Sequence, residues 1–159
     1  MNKEELKNIT LSLVETIKNA GKEAVELQSK GLEIKIKSDN TPVSNGDLKV
    51  DELITNKIKE LTPNIPIVSE ETVNLNVKNK SKIFWLIDPI DGTKEYIAGK
   101  DEFTLNAALI INKVPIIGLV GVPKKNRTFF TYDKGKSFLI ENNNTLQLNC
   151  SKKQPIGKI

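Results

Sequence analysis

The chain contains no histidine and only one cysteine, Cys150. Without histidine there is no Ser-His-Asp triad, no Cys-His pair and no His-ligated zinc. A lone cysteine forms no intramolecular disulfide and no thiolate cluster. Any metal must therefore be held by oxygen, which points to magnesium, calcium or manganese. Acid–base work falls to carboxylates, lysine, tyrosine, hydroxyls or metal-bound water. No apolar run approaches the about 20 residues that a transmembrane helix needs. The N-terminus, Met1-Asn2-Lys3-Glu4-Glu5, turns acidic at once and opens an amphipathic pattern, unlike a secretory signal. A cytoplasmic location is the expectation. Aromatics are also scarce, at 5%, and all but one of the 24 basic residues are lysine. The net charge is +4. Those lysines are scattered and few rings are available to stack bases, so the expectation is a solvated surface and no nucleic-acid partner.

What is present is a chain of 159 residues, 38% hydrophobic, of one-domain length and able to bury a core. Leu6, Leu13, Ile17, Ala20, Ala24 and Leu27 form one apolar stripe and predict a helix over 3–28. The strict alternation Leu32–Lys37 predicts a strand with one wet face. Ser38–Pro42 reads as a loop. A second helix begins near Ser44, carries Val50, Ile54, Ile58 and Leu61, and stops at Thr62-Pro63. Ile65–Val68 is a short extended piece, and 71–82 a polar surface excursion. Ile83–Ile87 is a continuous apolar run, expected to be a strand buried on both faces. Asp88–Gly99 reads as a loop with a short helix. Strands follow at Phe103–Ile111, Ile116–Val122, Thr128–Tyr132 and Ser137–Ile140, joined by short turns as in an antiparallel meander. The fold class is α+β: two N-terminal helices on a largely antiparallel sheet.

The chemistry concentrates in Asp88-Pro89-Ile90-Asp91-Gly92-Thr93-Lys94-Glu95. An apolar strand ends in two carboxylates three apart, with Pro89 stiffening the turn between them. These oxygens and the Ile90 carbonyl suit a hard divalent cation. Gly92 allows close approach to the backbone, and a short helix opening at Thr93 would favour a phosphate. The same two aspartates also suit a plain turn and helix N-cap. Glu70-Glu71 ends another apolar stretch and is equally readable as solvated surface. Ser44 with Asp47 three residues on is a capping box, a structural role for Asp47.

Together these segments resemble the inositol monophosphatase superfamily of magnesium-dependent, lithium-sensitive phosphatases. Asp88-Pro89-Ile90-Asp91-Gly92-Thr93 resembles its signature. Ala20–Ala24 resembles its first helix, Lys37–Asp47 its Lys-x-Asp-x-(Ser/Thr)-Pro-Val-Thr-x-Ala-Asp loop, and Ser69-Glu70-Glu71 its metal motif. Thr93-Lys94-Glu95-Tyr96 with Glu102–Ile110 is similar to the 3'(2'),5'-bisphosphate nucleotidases within it. The resemblance implies a metal site of Glu70, Asp88, the Ile90 carbonyl and Asp91, holding two or more Mg2+ ions and inhibited by Li+. It implies Asp47, Thr93 and Glu70 as catalytic residues, with Thr93 bonded to Asp47 and deprotonating water. Glu70, Ile90, Asp91, Gly92 and Thr93 would contact the substrate, a small phosphate monoester such as adenosine 3',5'-bisphosphate. Peripheral attachment at the inner face of the cell membrane also comes with the resemblance.

Relatives of that family run well past residue 159. Their second half carries a Trp-Asp motif that completes the metal site, whereas the only tryptophan here is Trp85. The implied division is a metal-binding phosphatase domain over 1–150, with 151–159 as the start of a missing C-terminal domain. The fold implied is the truncated N-terminal part of a sugar-phosphatase-like αβαβα arrangement. Ser44 and Gly46 replace the usual Thr and Ala, which is expected to preserve the local chemistry. Three readings follow: an active phosphatase completed by a separately encoded half or by self-association, an inactive remnant, and an anion-binding module. Activity on another small phosphate monoester is a further alternative within the first.

Overall fold

The computed structural model describes residues 1–71 and 81–149. Most of the polar excursion at 71–82, Cys150 and the tail 151–159 lie outside the described residues.

Helix α1 spans Lys3–Lys30. Asn2 starts it reciprocally: the Glu5 N–H donates to Asn2 Oδ1 at 2.9 Å, and the Asn2 N–H to Glu5 Oε2 at 2.8 Å. Leu13, Ile17, Ala20 and Ala24 are fully buried along the expected stripe. Strand β1 (Ile34–Ile36) pairs antiparallel with β2 (Pro42–Ser44) in a ribbon separate from the main sheet. The expected half-buried strand is thus corrected: Ile34 and Ile36 are 50% and 66% exposed. A three-residue strand paired only with another short strand, off the main sheet, has no core to face. Helix α2 spans Asn45–Leu61. It stops where expected, with the Thr62 N–H and Oγ1 both donating to the Ile58 carbonyl, at 2.8 and 3.0 Å.

The main sheet has seven strands in sequence order: β3 (Ile67–Ser69), β4 (Ile83–Asp91), β5 (Thr104–Ile111), β6 (Val114–Val122), β7 (Arg127–Asp133), β8 (Lys136–Glu141) and β9 (Asn144–Leu148). Only β3 and β4 pair in parallel. A short helix, α3 (Thr93–Ile97), follows β4. Helices α1 and α2 pack together on one face of this sheet. Ile17, Ile54 and Ile58 meet Trp85, Ile87, Leu109 and Leu119 in a core from which water is excluded. The α+β expectation holds.

Three details differ. Strand β4 runs on to Asp91 where a loop was expected from Asp88. Strand β9 is an addition to the strands read from the sequence: Asn142 and Asn143 adopt positive φ, 50° and 63°, and close a tight hairpin. The run Ile83–Ile87 is not buried on both faces: Trp85 and Ile87 are buried, whereas Leu86 is 47% exposed. Among the described residues only one face of the sheet carries helices, so the apolar residues of the other face meet solvent. No described helix is long and apolar enough to cross a membrane.

Candidate active site

The two aspartates are brought together by a β-bulge. Asp88 lies opposite Asn106 and Asp91 opposite Thr104, so three steps along β4 match two along β5. Residues three apart on a regular strand point to opposite faces. The extra residue in Pro89-Ile90 puts both carboxylates on one face, and Pro89 is tolerated because a bulge needs no ladder donor there. The expected stiff turn is therefore a bulge in a continuous strand. Its two central residues, Pro89 and Ile90, are buried, while Asp91 is exposed.

Glu70 joins them through the parallel pairing. Ser69 is in register with Ile87, and the Glu70 N–H donates to the Ile87 carbonyl at 3.1 Å. The next residue along each strand is Glu70 and Asp88, side by side. Burial pushes the Asp88 carboxyl up to about 7, helped by the adjacent Glu70, then Asp91 and Glu71. Asp88 Oδ1 is buried and has no hydrogen-bond partner among the described residues.

Asp47, near the start of α2, has both carboxylate oxygens engaged. Oδ2 accepts from the Ser44 N–H at 2.9 Å and from Ser44 Oγ at 2.5 Å, closing the capping box. Oδ1 accepts from Thr93 Oγ1 at 3.1 Å. Thr93 Oγ1 also lies 3.0 Å from the Ile90 carbonyl. The cap and the contact with Thr93 are thus served by different oxygens of one residue.

Gly92 links β4 to α3 with φ 95°, a left-handed conformation that glycine adopts freely. A Cβ there would lie 2.7 Å from the Glu102 carbonyl, so the close approach that requires glycine is made by this chain's own backbone. No side chain caps α3. Tyr96, fully buried, donates from its hydroxyl to the Ala24 carbonyl of α1 at 2.7 Å. Burial raises its pKa.

Four residues around this site, Lys37, Glu71, Ser69 and Asp51, receive no individual role from the sequence. Lys37 pairs with Glu71, Nζ to Oε2 at 2.8 Å, and only 4% of the Glu71 side chain is exposed. Burial opposes the Lys37 charge, but the Glu71 contact outweighs it and holds the ammonium above its usual value. The Glu71 carboxyl is nonetheless pushed up, because its deeper burial outweighs the lysine. Ser69, fully buried, donates to Asp51 Oδ1, and burial pushes that carboxyl up against the serine's pull. Asp51 was legible as an acid on the same helix face as Asp47, one turn on and next to Val50 of the apolar stripe.

No described group of three or more acidic or cysteine side chains forms a ready-made metal cage. The residues nevertheless fit a hard cation. An orphaned buried carboxylate oxygen needs an explanation, and a bound ion supplies one. The donors are all oxygen, and magnesium is commonly held by one or two carboxylates with water and substrate completing its shell.

Fold and site together define an α+β protein with a carboxylate-centred, all-oxygen site at the end of a parallel strand pair. The chain belongs to the inositol monophosphatase family, whose model matches residues 2–159. It is 33% identical over 113 residues to the 3'(2'),5'-bisphosphate nucleotidase CysQ of Haemophilus influenzae, covering 70% of this chain and 42% of that protein. CysQ from Bacteroides thetaiotaomicron, solved as a bacterial member of the family, matches with TM-score 0.68 at 30% identity, over 84% of this chain and 49% of that one. An IMPase/NADP phosphatase solved with Mg2+ and phosphate shares the fold, with TM-score 0.71 at 16% identity, over 87% and 52%. The chain therefore spans about half the length of the relatives it matches.

Proposed function

We propose that this chain carries the metal-binding half of a magnesium-dependent phosphomonoesterase that removes the 3'-phosphate of adenosine 3',5'-bisphosphate. The observation that carries this reading is the orphaned Asp88 Oδ1, flanked by Glu70 and Asp91 on the same sheet face. The similarity to CysQ nucleotidases supports the substrate, and the relative solved with Mg2+ and phosphate supports the ion. Glu70, Asp88, the Ile90 carbonyl and Asp91 would hold the magnesium. When bound, it would supply charge neutralisation at the phosphate and a more acidic attacking water.

The chain's own residues do the rest. Asp47 is fixed by its cap and accepts the Thr93 proton at Oδ1. With that proton directed at a carboxylate, the Thr93 oxygen keeps lone pairs to accept a hydrogen bond from water. Thr93 thus orients the water and passes its proton toward Asp47. Glu70 and Asp91 face the same space and fix the ester's position. The N–H groups of Gly92 and Thr93, at a helix start that no side chain caps, suit the phosphate oxygens.

The base and ribose need a further wall. The open apolar face of the sheet, on which Asp88 and Asp91 lie, favours a covering partner: a separate polypeptide or a second copy.

The test is phosphate release from adenosine 3',5'-bisphosphate by the purified chain, with inositol monophosphate as the competing substrate. Lithium-sensitive, magnesium-dependent release that Asp88→Asn lacks supports the reading. Faster release from inositol monophosphate shifts the substrate. Release that survives Asp88→Asn refutes the site.

A further inference from the structure

We propose that Asp51 and Ser69 are positioning residues that aim Glu70 at Asp88, and thereby set the affinity of the site for its cation. This rests on the proposed role of Glu70. Glu70 is exposed and sits just past the end of β3, a strand of three residues paired only with β4. Such a strand end frays readily unless something holds it. On one side the Glu70 N–H is tied to the Ile87 carbonyl at 3.1 Å.

The other constraint comes from α2. Ser69, the residue immediately before Glu70, is fully buried and donates its hydroxyl proton to Asp51 Oδ1. The same Ser69 oxygen accepts from the Glu71 N–H at 3.4 Å, so one hydroxyl braces the residues on both sides of Glu70. Asp51 is itself 93% buried, since its exposure is 7%, and lies one turn after Asp47 on α2. One helix face therefore fixes two parts of the site. Asp47 holds Thr93, and Asp51 holds the turn that presents Glu70. A carboxylate is an expensive way to fill a buried helix position that an apolar residue would fill more cheaply. Its use here is explained if the serine needs a strong, directional acceptor.

The experiment measures magnesium affinity by calorimetry alongside thermal unfolding, on the 159-residue chain. The variants are Ser69→Ala, Asp51→Ala and Asp51→Asn, with Asp88→Asn as control. Residues that orient a metal ligand typically change affinity by about 10–100-fold. Ser69→Ala and Asp51→Ala should weaken magnesium at least about tenfold. Asp51→Asn keeps an acceptor oxygen for Ser69 and should restore binding to within about threefold of the parent, the modest residue of losing charge alone. The affinity loss should exceed what the change in melting temperature accounts for. Folded Ser69→Ala and Asp51→Ala variants that bind magnesium like the parent overturn the proposal. So does a Asp51→Asn variant as weak as Asp51→Ala. A parent chain that binds no magnesium, or binds it equally well after Asp88→Asn, overturns instead the functional reading beneath it.

Discussion

Asp88 holds a proton that an ordinary aspartate would have lost. Its native value of about 7 stands above the usual 3.8, chiefly through burial and then the adjacent Glu70. Between those values the folded chain binds more protons than the unfolded one, so stability falls as pH rises. The contribution is complete below about 3.8 and lost as pH passes about 7. In chelator, the amount by which the melting temperature of Asp88→Asn exceeds that of the parent should widen from pH 5 to pH 8. A constant gap would show that Asp88 is already ionised at pH 5. If magnesium binds at Asp88 as proposed, it must displace the same proton, so its affinity should rise across this range. Gly46 makes a second case at this scale. It was expected to replace the alanine usual in such loops while preserving the local chemistry. The ring of the fully buried Tyr96 instead occupies the space where a Cβ would go, with Cε1 at 2.6 Å and the hydroxyl oxygen closer still. Gly46→Ala should destabilise by about 1–3 kcal/mol, the usual cost of overpacking. Tyr96→Phe should lose about 1 kcal/mol with its bond to the Ala24 carbonyl. The double variant should cost somewhat less than the sum, because Tyr96→Phe removes the nearest of the Tyr96 atoms that the new methyl strikes, though the ring carbons remain. Strict additivity by chemical denaturation would mean the two residues do not meet.

At the scale of elements, helix α2 delivers the site through its N-terminus. Ser44→Ala removes a cap worth about 1 kcal/mol and one of the two bonds to Asp47 Oδ2. Ser44→Thr keeps both and should fall within a few tenths of the parent, as hydroxyl caps do. If the alanine variant is as stable as the parent in urea, the cap is not what fixes Asp47. Both helices were readable from periodicity, because Leu13, Ile17, Val50, Ile54 and Ile58 are buried by one helical face each. The meander was readable from alternation and turns. The elements that escaped are those without a periodic signal. Strand β2 begins at a proline and has three residues, and β9 is exposed throughout. The site was legible as motifs in order along the chain, but not as a geometry. Nothing local says that a bulge at Pro89-Ile90 turns Asp88 and Asp91 to one face, since that depends on the pairing with β5. Nor could the Ser69–Asp51 contact be read, since it spans 18 residues and depends on how α2 lies on the sheet.

For the whole molecule, the sheet register joins the site to the surface beside it. Asp88 pairs with Asn106, Asn106 with Val120, Val120 with Phe129, Phe129 with Leu139 and Leu139 with Leu146. Paired residues share a face, so this row crosses the sheet from the carboxylates to the last strand on the side opposite α1 and α2. Val120 and Leu146 in the row are 39% and 53% exposed, and the neighbouring Leu86 is 47% exposed. Exposed apolar side chains gathered on one sheet face favour association. Whatever covers it also walls the space in front of Asp88. The purified chain should therefore sediment as a concentration-dependent oligomer. Val120→Lys or Leu146→Lys should restore the monomer by placing an unpaired charge at the contact. Leu11→Lys, at a residue 42% exposed on α1, tests the opposite side of the molecule and should leave association unchanged. Association that survives both sheet-face lysines, or that Leu11→Lys abolishes, would place the contact elsewhere. If the sheet face is the contact, magnesium-dependent phosphate release should fall together with oligomer as the chain is diluted. In the lysine variants release should be lost while magnesium still binds, since Glu70, Asp88 and Asp91 are untouched.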